Sequence, residues 1–373
     1  MKTILHISKY YYPDLGGIES VVKQLCEGVA SYRNIVLCYS SDRKSSVTDI
    51  NGVKVFRAGI FANVMSQPLS LGYYNMFRKI IKEYKPDVVN VHCPNPFAYP
   101  MVRMFTPRHT KVVLHWHSDI HEKGYMYNLI RPVESCIMKR ADLVIATSQR
   151  YIDGSKRLQE VKDKVKVLQN GITTRDFNQR PEDAVQIEKI RKEYAGKTIL
   201  LFVGRLIPYK GVDKLIEAEP FIKNDVQILV AGEGYFGHFY RQFAVGHDRI
   251  KFLGRLSYDE IRQYLWAADI FTFPSITKAE AFGVALAEAM YCRCVPVVFS
   301  IEGSGLNWLS LKGQTGEEVA LGDVKGYAAA IDRLIDDEAL RQEYAENARQ
   351  RVIELFSDRV VTETAEQIYE SLW

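Results

Sequence analysis

Short apolar runs, each closed by a turn residue and followed by a segment with helical spacing, recur from the first residues of this chain into its last third. Residues 3–8 form the first run, and Leu15-Gly16-Gly17 a glycine turn. Residues 19–31 then place Val21, Val22, Leu25, Val29 and Ala30 at helical intervals. Runs at 34–39, 53–57, 87–92, 111–115 and 143–146 repeat the theme, with a helix expected over 73–84. Strands this short and this uniformly apolar fit a sheet covered on both faces. The helical segments between them are the crossovers that parallel strands require. The pattern predicts an α/β fold with a doubly wound, parallel sheet.

The pattern then starts again. Runs at 197–203, 226–231, 250–253, 270–273 and 295–299 read as strands, with a helix from 212 and an amphipathic helical tail from Asp323. A chain of 373 residues is too long for one ordinary core. Two Rossmann-like domains are therefore expected. The polar stretch 173–188 lacks an apolar stripe and marks the boundary, taken at 180/181, between domains 1–180 and 181–356. Tandem open sheets of this kind leave a cleft between the domains, and ligands bind beyond the carboxyl ends of the strands.

Several classes are disfavoured. The N-terminus runs straight into a strand pattern without the apolar core of a signal peptide. No apolar run approaches a membrane span. A cytoplasmic enzyme is the expectation. The six cysteines form no CxxC pair, so they read as small apolar residues in a reducing compartment. Residues 1–180 hold 27 Lys and Arg against 15 Asp and Glu, whereas the remainder is acidic. The basic half suits an anionic membrane face or acceptor as readily as ordinary surface charge. No nucleic-acid motif accompanies it. No G-x-G-x-x-G follows the first strand, which disfavours a simple NAD enzyme.

The chemistry gathers at strand ends. In Phe202-Val203-Gly204-Arg205-Leu206-Ile207-Pro208-Tyr209-Lys210-Gly211, Gly204 lets the backbone turn, and Arg205 and Lys210 emerge before a helix. Two cations beside a helix N-terminus make an anion site. In the segment Glu280-Ala281-Phe282-Gly283-Val284, a helix follows the glycine, so the N–H groups of Phe282, Gly283 and Val284 point at an anion. Glu280 precedes that helix and faces the ligand. Glu288 lies about two turns further in, where its carboxylate suits a diol such as ribose. No Asp-x-Asp is present, and Asp336-Asp337-Glu338 falls in a solvated helical stretch. A metal-independent site without cofactor is expected, with cations and helix N-termini stabilising a departing nucleotide.

On these residues the chain resembles the retaining glycosyltransferases of family 4, which have the GT-B fold. The resemblance covers almost the whole chain. Its most specific motif is Glu-x7-Glu, met by Glu280 and Glu288. The resemblance implies that Glu280 lies against the transferred sugar and Glu288 against the ribose. It makes Phe282-Gly283 backbone donors, and Arg205 and Lys210 the diphosphate cations. Asn170-Gly171-Ile172 matches the interdomain signature, and Gly232-Glu233-Gly234 stands in the expected order. Leu256, closing Phe252-Leu253-Gly254-Arg255-Leu256, falls near the base. Pro13-Asp14-Leu15-Gly16-Gly17 resembles the glycine loop that approaches the donor phosphate. In Leu114-His115-Trp116-His117-Ser118-Asp119, His117 is the first candidate for the active-site histidine and His115 the second; a core histidine is the plain alternative. His92 is given no role. The C-terminal helix, about 357–373, is expected to pack back on the first domain. One departure is Glu302-Gly303-Ser304-Gly305-Leu306-Asn307-Trp308, where Asn307-Trp308 replaces the usual acid.

The implied activity is transfer of a hexosyl unit, mannosyl as first expectation, from a GDP- or UDP-linked sugar. The acceptor is a hydroxyl, with a lipid-linked saccharide of surface-polysaccharide assembly at the inner membrane face foremost. Catalytic roles fall to Glu280, His117, Arg205 and Lys210, with closure on the donor expected. A nucleotide-sugar epimerase, a phosphorylase and a non-catalytic nucleotide-sugar-binding module are the alternatives. Tyr73, Tyr74, Arg78, Lys79, Arg103, Arg108, Tyr125 and Tyr127 line either an acceptor surface or ordinary helix faces.

Overall fold

The computed structural model describes residues 1–14, 16–40, 43–64, 67–120 and 125–373. The chain divides into two compact units, Met1–Gly171 with Asp358–Trp373, and Ile172–Ser357.

The strands of the first unit are β1 (Thr3–Ile7), β2 (Arg33–Tyr39), β3 (Ser46–Ile50), β4 (Val53–Ala58), β5 (Ala62–Val64), β6 (Gln67–Leu69), β7 (Val88–Cys93), β8 (Lys111–Trp116), β9 (Leu143–Ala146) and β10 (Val165–Val167). Eight of them form one sheet in the order β10-β9-β8-β7-β1-β2-β4-β3, while β5 and β6 make a separate hairpin. The sheet is parallel except at its edge, where β3 runs antiparallel to β4. That edge strand is exposed and mixed in composition, so it lacks the apolar run that marks the others. Side chains alternate along each strand. Ile4, Val88, Val113 and Ile145 accordingly share one face, which is packed by Val21 and Leu25 of the helix Gly17–Gly28 and by Val361, Ala365 and Tyr369 of the helix Asp358–Glu370.

The second unit contains β11 (Thr198–Val203), β12 (Val226–Ala231), β13 (Ile250–Gly254), β14 (Ile270–Phe273), β15 (Val295–Phe299) and β16 (Glu317–Val319), in the order β13-β12-β11-β14-β15-β16. Each neighbouring pair is parallel. Both units are thus Rossmann-like α/β sheets.

The boundary lies at 171/172 rather than 180/181. Residues 173–188 are not a linker. Ile172 bridges Ser357, and Phe177, Ile187 and Ile190 enter the second core from the helices Thr174–Phe177 and Asp183–Glu193. The polar composition misled because Asp183, fully buried, is held by Arg262 through two hydrogen bonds of 2.7 and 2.9 Å and by Gln263 at 3.0 Å. A buried carboxylate with a bidentate guanidinium replaces the apolar contact that a sequence pattern looks for. Five of the six free cysteines are buried, and Cys136 is exposed. No helix among the described residues is long and apolar enough to cross a membrane.

Candidate functional site

Three adjacent strands of the second unit end in glycine. Gly204 follows β11, Gly232 follows β12 and Gly254 closes β13. The N–H of Gly204 reaches the carbonyl of Ala231 at 3.0 Å, and that of Gly232 reaches Gly254 at 2.7 Å. Gly232 has φ +132°, and a Cβ there would stand 1.9 Å from the carbonyl oxygen of Gly204. Only glycine lets the backbones approach this closely at the carboxyl edge of the sheet.

Two loops press together beside that edge. Gly211, at φ +65°, caps the helix Val212–Ala218, and a Cβ on it would collide with the carbonyl of Pro274. The N–H of Ile276 donates to the carbonyl of Tyr209 at 2.9 Å. This junction carries Lys210 to Glu280. Both are buried, Lys210 Nζ donates to Glu280 Oε2, and Ser275 Oγ donates to the same oxygen at 3.1 Å. Lys210 Nζ also stands 4.7 Å from the Phe273 ring centre. The sequence reading had Lys210 emerging as an open cation. The structure instead gives its charge to Glu280, because burial of either alone would be costly. Arg205 is exposed, and its guanidinium has no ion-pair or hydrogen-bond partner among the described residues.

Gly283, at φ +88°, caps the helix Val284–Tyr291. Among the described residues the N–H groups of Phe282, Gly283 and Val284 have no acceptor, as is general at a helix N-terminus. Phe282 is buried against Phe356. The segment is held from behind. Ser304 Oγ donates to the carbonyl of Glu280, and the N–H of Gly305 donates to that of Ala281 at 3.1 Å. Asn307, the first of the Asn307-Trp308 pair, is buried and pins this loop through Ile301 N–H at 2.9 Å and the Phe299 carbonyl at 3.1 Å.

Glu288 is half-buried on the same helix, and nothing among the described residues pairs with its carboxylate. Burial pushes its carboxyl up to about 8, and the carboxylate of Asp176 adds to the effect. Leu256 is half-buried just after β13, ahead of the capping box formed by Ser257 and Glu260.

In the first unit, Gly16 is the N-cap and Gly17 the first residue of the helix Gly17–Gly28, with Glu19 in its first turn. Leu15 of the expected glycine loop lies outside the described residues. His117 follows β8, and its backbone N–H donates to Cys93 at 3.1 Å. Its ring is buried, and Nδ1 is enclosed from solvent without a partner, so a ligand hydroxyl reaches that atom only after a neighbouring group shifts.

His117 belongs to a stack that the sequence reading did not foresee. His6, His92, His115 and His117 come from β1, β7, β8 and the residue after β8. The ring centres of His115 and His117 are 4.3 Å apart, those of His92 and His117 5.2 Å, and those of His6 and His92 5.5 Å. Burial lowers all four: His6 to about 4, His117 to about 3, and His92 and His115 well below the usual range, where neighbouring imidazoles add to the effect. His92, His115 and His117 bring one ring nitrogen each to within 4.8 Å of one another. A tetrahedral zinc needs about 3.3 Å between such nitrogens. Both nitrogens of His92 are moreover engaged already, by His6 at 3.2 Å and His117 at 2.9 Å. His6, His92 and His117 fit a hydrogen-bonded chain better than a metal centre, and His115, whose two ring nitrogens are enclosed without a partner, packs against it. The signal available in sequence was a histidine at inward-facing positions of consecutive parallel strands.

The expected acceptor residues divide. Tyr73 is buried and stacked on Tyr39, with ring centres 4.1 Å apart, so it does not line a surface. The interior takes it because its helix, Leu71–Tyr84, turns Tyr73, Phe77 and Ile80 inward. Tyr74 Oη donates to Phe97 at 3.1 Å, and Arg78 lies over Phe105. Lys79, Arg103 and Arg108 are exposed and Tyr127 half-buried. The Tyr125 side chain lies outside the described part.

Residues 184–351 match the family Glycosyl transferases group 1, and residues 15–176 match Glycosyltransferase Family 4. D-rhamnosyltransferase WbpZ of Pseudomonas aeruginosa is 32% identical over 95% of this chain and 92% of its own length. O-antigen chain mannosyltransferase C of Escherichia coli is 28% identical over 99% and 98%. In fold, the chain is similar to sucrose-phosphate synthase from Thermosynechococcus elongatus, with TM-score 0.83 and 21% identity over 100% of this chain and 99% of that one. It is also similar to Anabaena HepE in complex with UDP-glucose, with TM-score 0.79 and 22% identity over 100% and 99%.

Proposed function

The chain belongs to the group 1, family 4 glycosyltransferases of GT-B fold, and from that premise we propose that it transfers a hexosyl unit from a nucleoside diphosphate sugar to an acceptor hydroxyl with retention and without metal. The observation that carries this reading is the buried Lys210–Glu280 pair, just ahead of the free N–H groups of Phe282, Gly283 and Val284, with the unpaired guanidinium of Arg205 on the same loop as Lys210. Cations and helix N–H donors of this kind stabilise the charge that grows on a departing diphosphate.

In the proposed step the bond from the anomeric carbon to the diphosphate oxygen breaks as the acceptor oxygen bonds to the same face of that carbon. The freed phosphate oxygen takes the acceptor proton. Arg205 and the helix donors hold the diphosphate, Lys210 shares its charge between Glu280 and the leaving group, and Glu280 orients the sugar. Gly204 and Gly232 hold the strand ends close together beside the phosphates, Glu288 accepts from the ribose hydroxyls, and Leu256 lies at the base. For the first unit the family resemblance assigns Gly16 and Gly17 to a donor phosphate and His117 to a sugar hydroxyl. The rhamnosyl and mannosyl transfer named for two relatives favours a GDP-linked mannosyl or related donor over UDP-linked ones. The O-antigen role named for one of them favours a saccharide acceptor, lipid-linked, in surface-polysaccharide assembly. The basic residues of the first unit suit an anionic membrane face for that acceptor.

The test is calorimetric titration with GDP, UDP, GDP-mannose and a panel of UDP-sugars in EDTA, followed by NMR of the anomeric configuration in the product. Tight binding of one nucleotide without metal and a retained configuration support the reading. A requirement for a divalent ion, or an inverted product, overturns it.

A further inference from the structure

The histidine stack has a direction, and it is set by a residue at the amino end of β2, away from the carboxyl edge of the sheet. Asn34 is buried on β2. Its Nδ2 donates to the carbonyls of Cys26 at 3.0 Å and Val29 at 2.9 Å. These acceptors fix the amide, because the opposite orientation would set an oxygen against carbonyl oxygens. Asn34 Oδ1 therefore faces His6 Nε2 at 3.2 Å, and that nitrogen must carry the proton. A neutral imidazole holds one proton, so His6 Nδ1 is bare. It faces His92 Nε2 at 3.2 Å. Two lone pairs cannot face each other there, so His92 Nε2 is protonated and His92 Nδ1 is bare. Asn90 Nδ2, at 3.4 Å from His6 Nδ1, agrees with that nitrogen being an acceptor. By the same step His117 Nε2, 2.9 Å from His92 Nδ1, carries its proton.

The geometry assigns Asn34, His6 and His92 as positioning residues that lock His117 in the Nε2–H tautomer, so that its unpaired Nδ1 is a hydrogen-bond acceptor and not a proton donor. All four imidazoles are neutral near pH 7, since burial holds their pKa values low. The chemical consequence rests on the transferase reading. A ligand group at His117 Nδ1 must bring its own hydrogen, as a sugar hydroxyl does, whereas a phosphate or carboxylate oxygen is repelled. Three residues without ligand contact then decide what His117 accepts.

The experiment is imidazole nitrogen NMR on unliganded full-length protein labelled with 15N-histidine, which reads each tautomer whether or not the protein is a transferase. The expected result is a protonated Nε2 and a bare Nδ1 for His6, His92 and His117 alike. His6→Leu removes the link and should make His92 and His117 sample both tautomers. His6→Asn, which can keep an acceptor near the lost Nδ1, should restore the single form. With an active donor, His6→Leu should lower kcat about tenfold with little change in KM for the acceptor, and His6→Asn should recover most of it. A proton on His117 Nδ1 in the native protein overturns the assignment. So does a His117 tautomer unmoved by His6→Leu when amide spectra show the variant folded. Zinc that displaces the signals of His92, His115 and His117 together would identify a metal centre and also overturn it.

Discussion

Lys210 and Glu280, seventy residues apart, form a buried ion pair in which Ser275 donates to the same carboxylate oxygen as the ammonium. Removing either charge leaves the other uncompensated, but the two losses differ. Lys210→Met should cost about 3 kcal/mol of stability through the stranded carboxylate and should also reduce turnover. Glu280→Gln keeps a group of similar size with a hydrogen-bonding oxygen. It still strands the buried Lys210 ammonium, so it should lose stability too, by up to about 3 kcal/mol, while sugar transfer falls about 100-fold. Thermal melts and nucleotide-release assays on the two variants check both halves. Native turnover in Glu280→Gln would remove that residue from the mechanism.

Arg205 is exposed and unpaired, so its loss should leave stability within about 0.5 kcal/mol. Arg205→Ala should weaken nucleoside diphosphate binding about tenfold or more, with the larger effect at low salt, because an exposed cation acts through a screened field. Calorimetry at two ionic strengths measures this, and unchanged affinity would place the diphosphate elsewhere.

Glu288 titrates near 8 in the folded protein, above its usual range. A carboxyl raised in this way binds its proton more tightly folded than unfolded. It favours the fold at low pH and contributes progressively less as pH rises from the ordinary glutamate value through about 8. A ribose that donates to this carboxylate binds its ionised form. Nucleotide affinity should therefore increase between pH 6.5 and 8.5, and Glu288→Gln should flatten that rise. A flat native profile would separate Glu288 from the ribose.

Asp183 shows the opposite sign. Its hydrogen bonds to the Arg262 guanidinium hold its carboxyl well below the usual range, so the stabilisation is complete above the ordinary aspartate pKa and is lost as pH falls. Asp183→Ala should lower stability by about 3–5 kcal/mol, read by denaturant titration at neutral pH. The difference from the native protein should shrink in acid.

The strand ends, Glu280 and the helix Val284–Tyr291 that carries Glu288 were legible in sequence because their signals are local: an apolar run, a glycine, a helix start, a fixed interval. The partners were not. Lys210 read as an open cation because nothing near it in sequence shows that Gly211 presses against Pro274 and carries the lysine to Glu280. His92 read as a strand end without a role, since its neighbours His6 and His117 arrive from other strands through sheet order. The helix Asp183–Glu193 was hidden because its inward face includes an aspartate, and β3 because an exposed antiparallel edge needs no apolar run.

The helix Asp358–Glu370 belongs to the unit that begins at Met1, and its Val361, Ala365 and Tyr369 fill the same core as Val21 and Leu25. This imposes an order on synthesis. At about 5–20 residues per second, the ribosome spends tens of seconds between releasing Gly171 and releasing the helix that completes that core. The unit translated first is thus the last to be finished, and during that interval an apolar sheet face is open to chaperones. A C-terminal truncation at Ser357 should leave the second unit able to form while exposing the first to proteolysis.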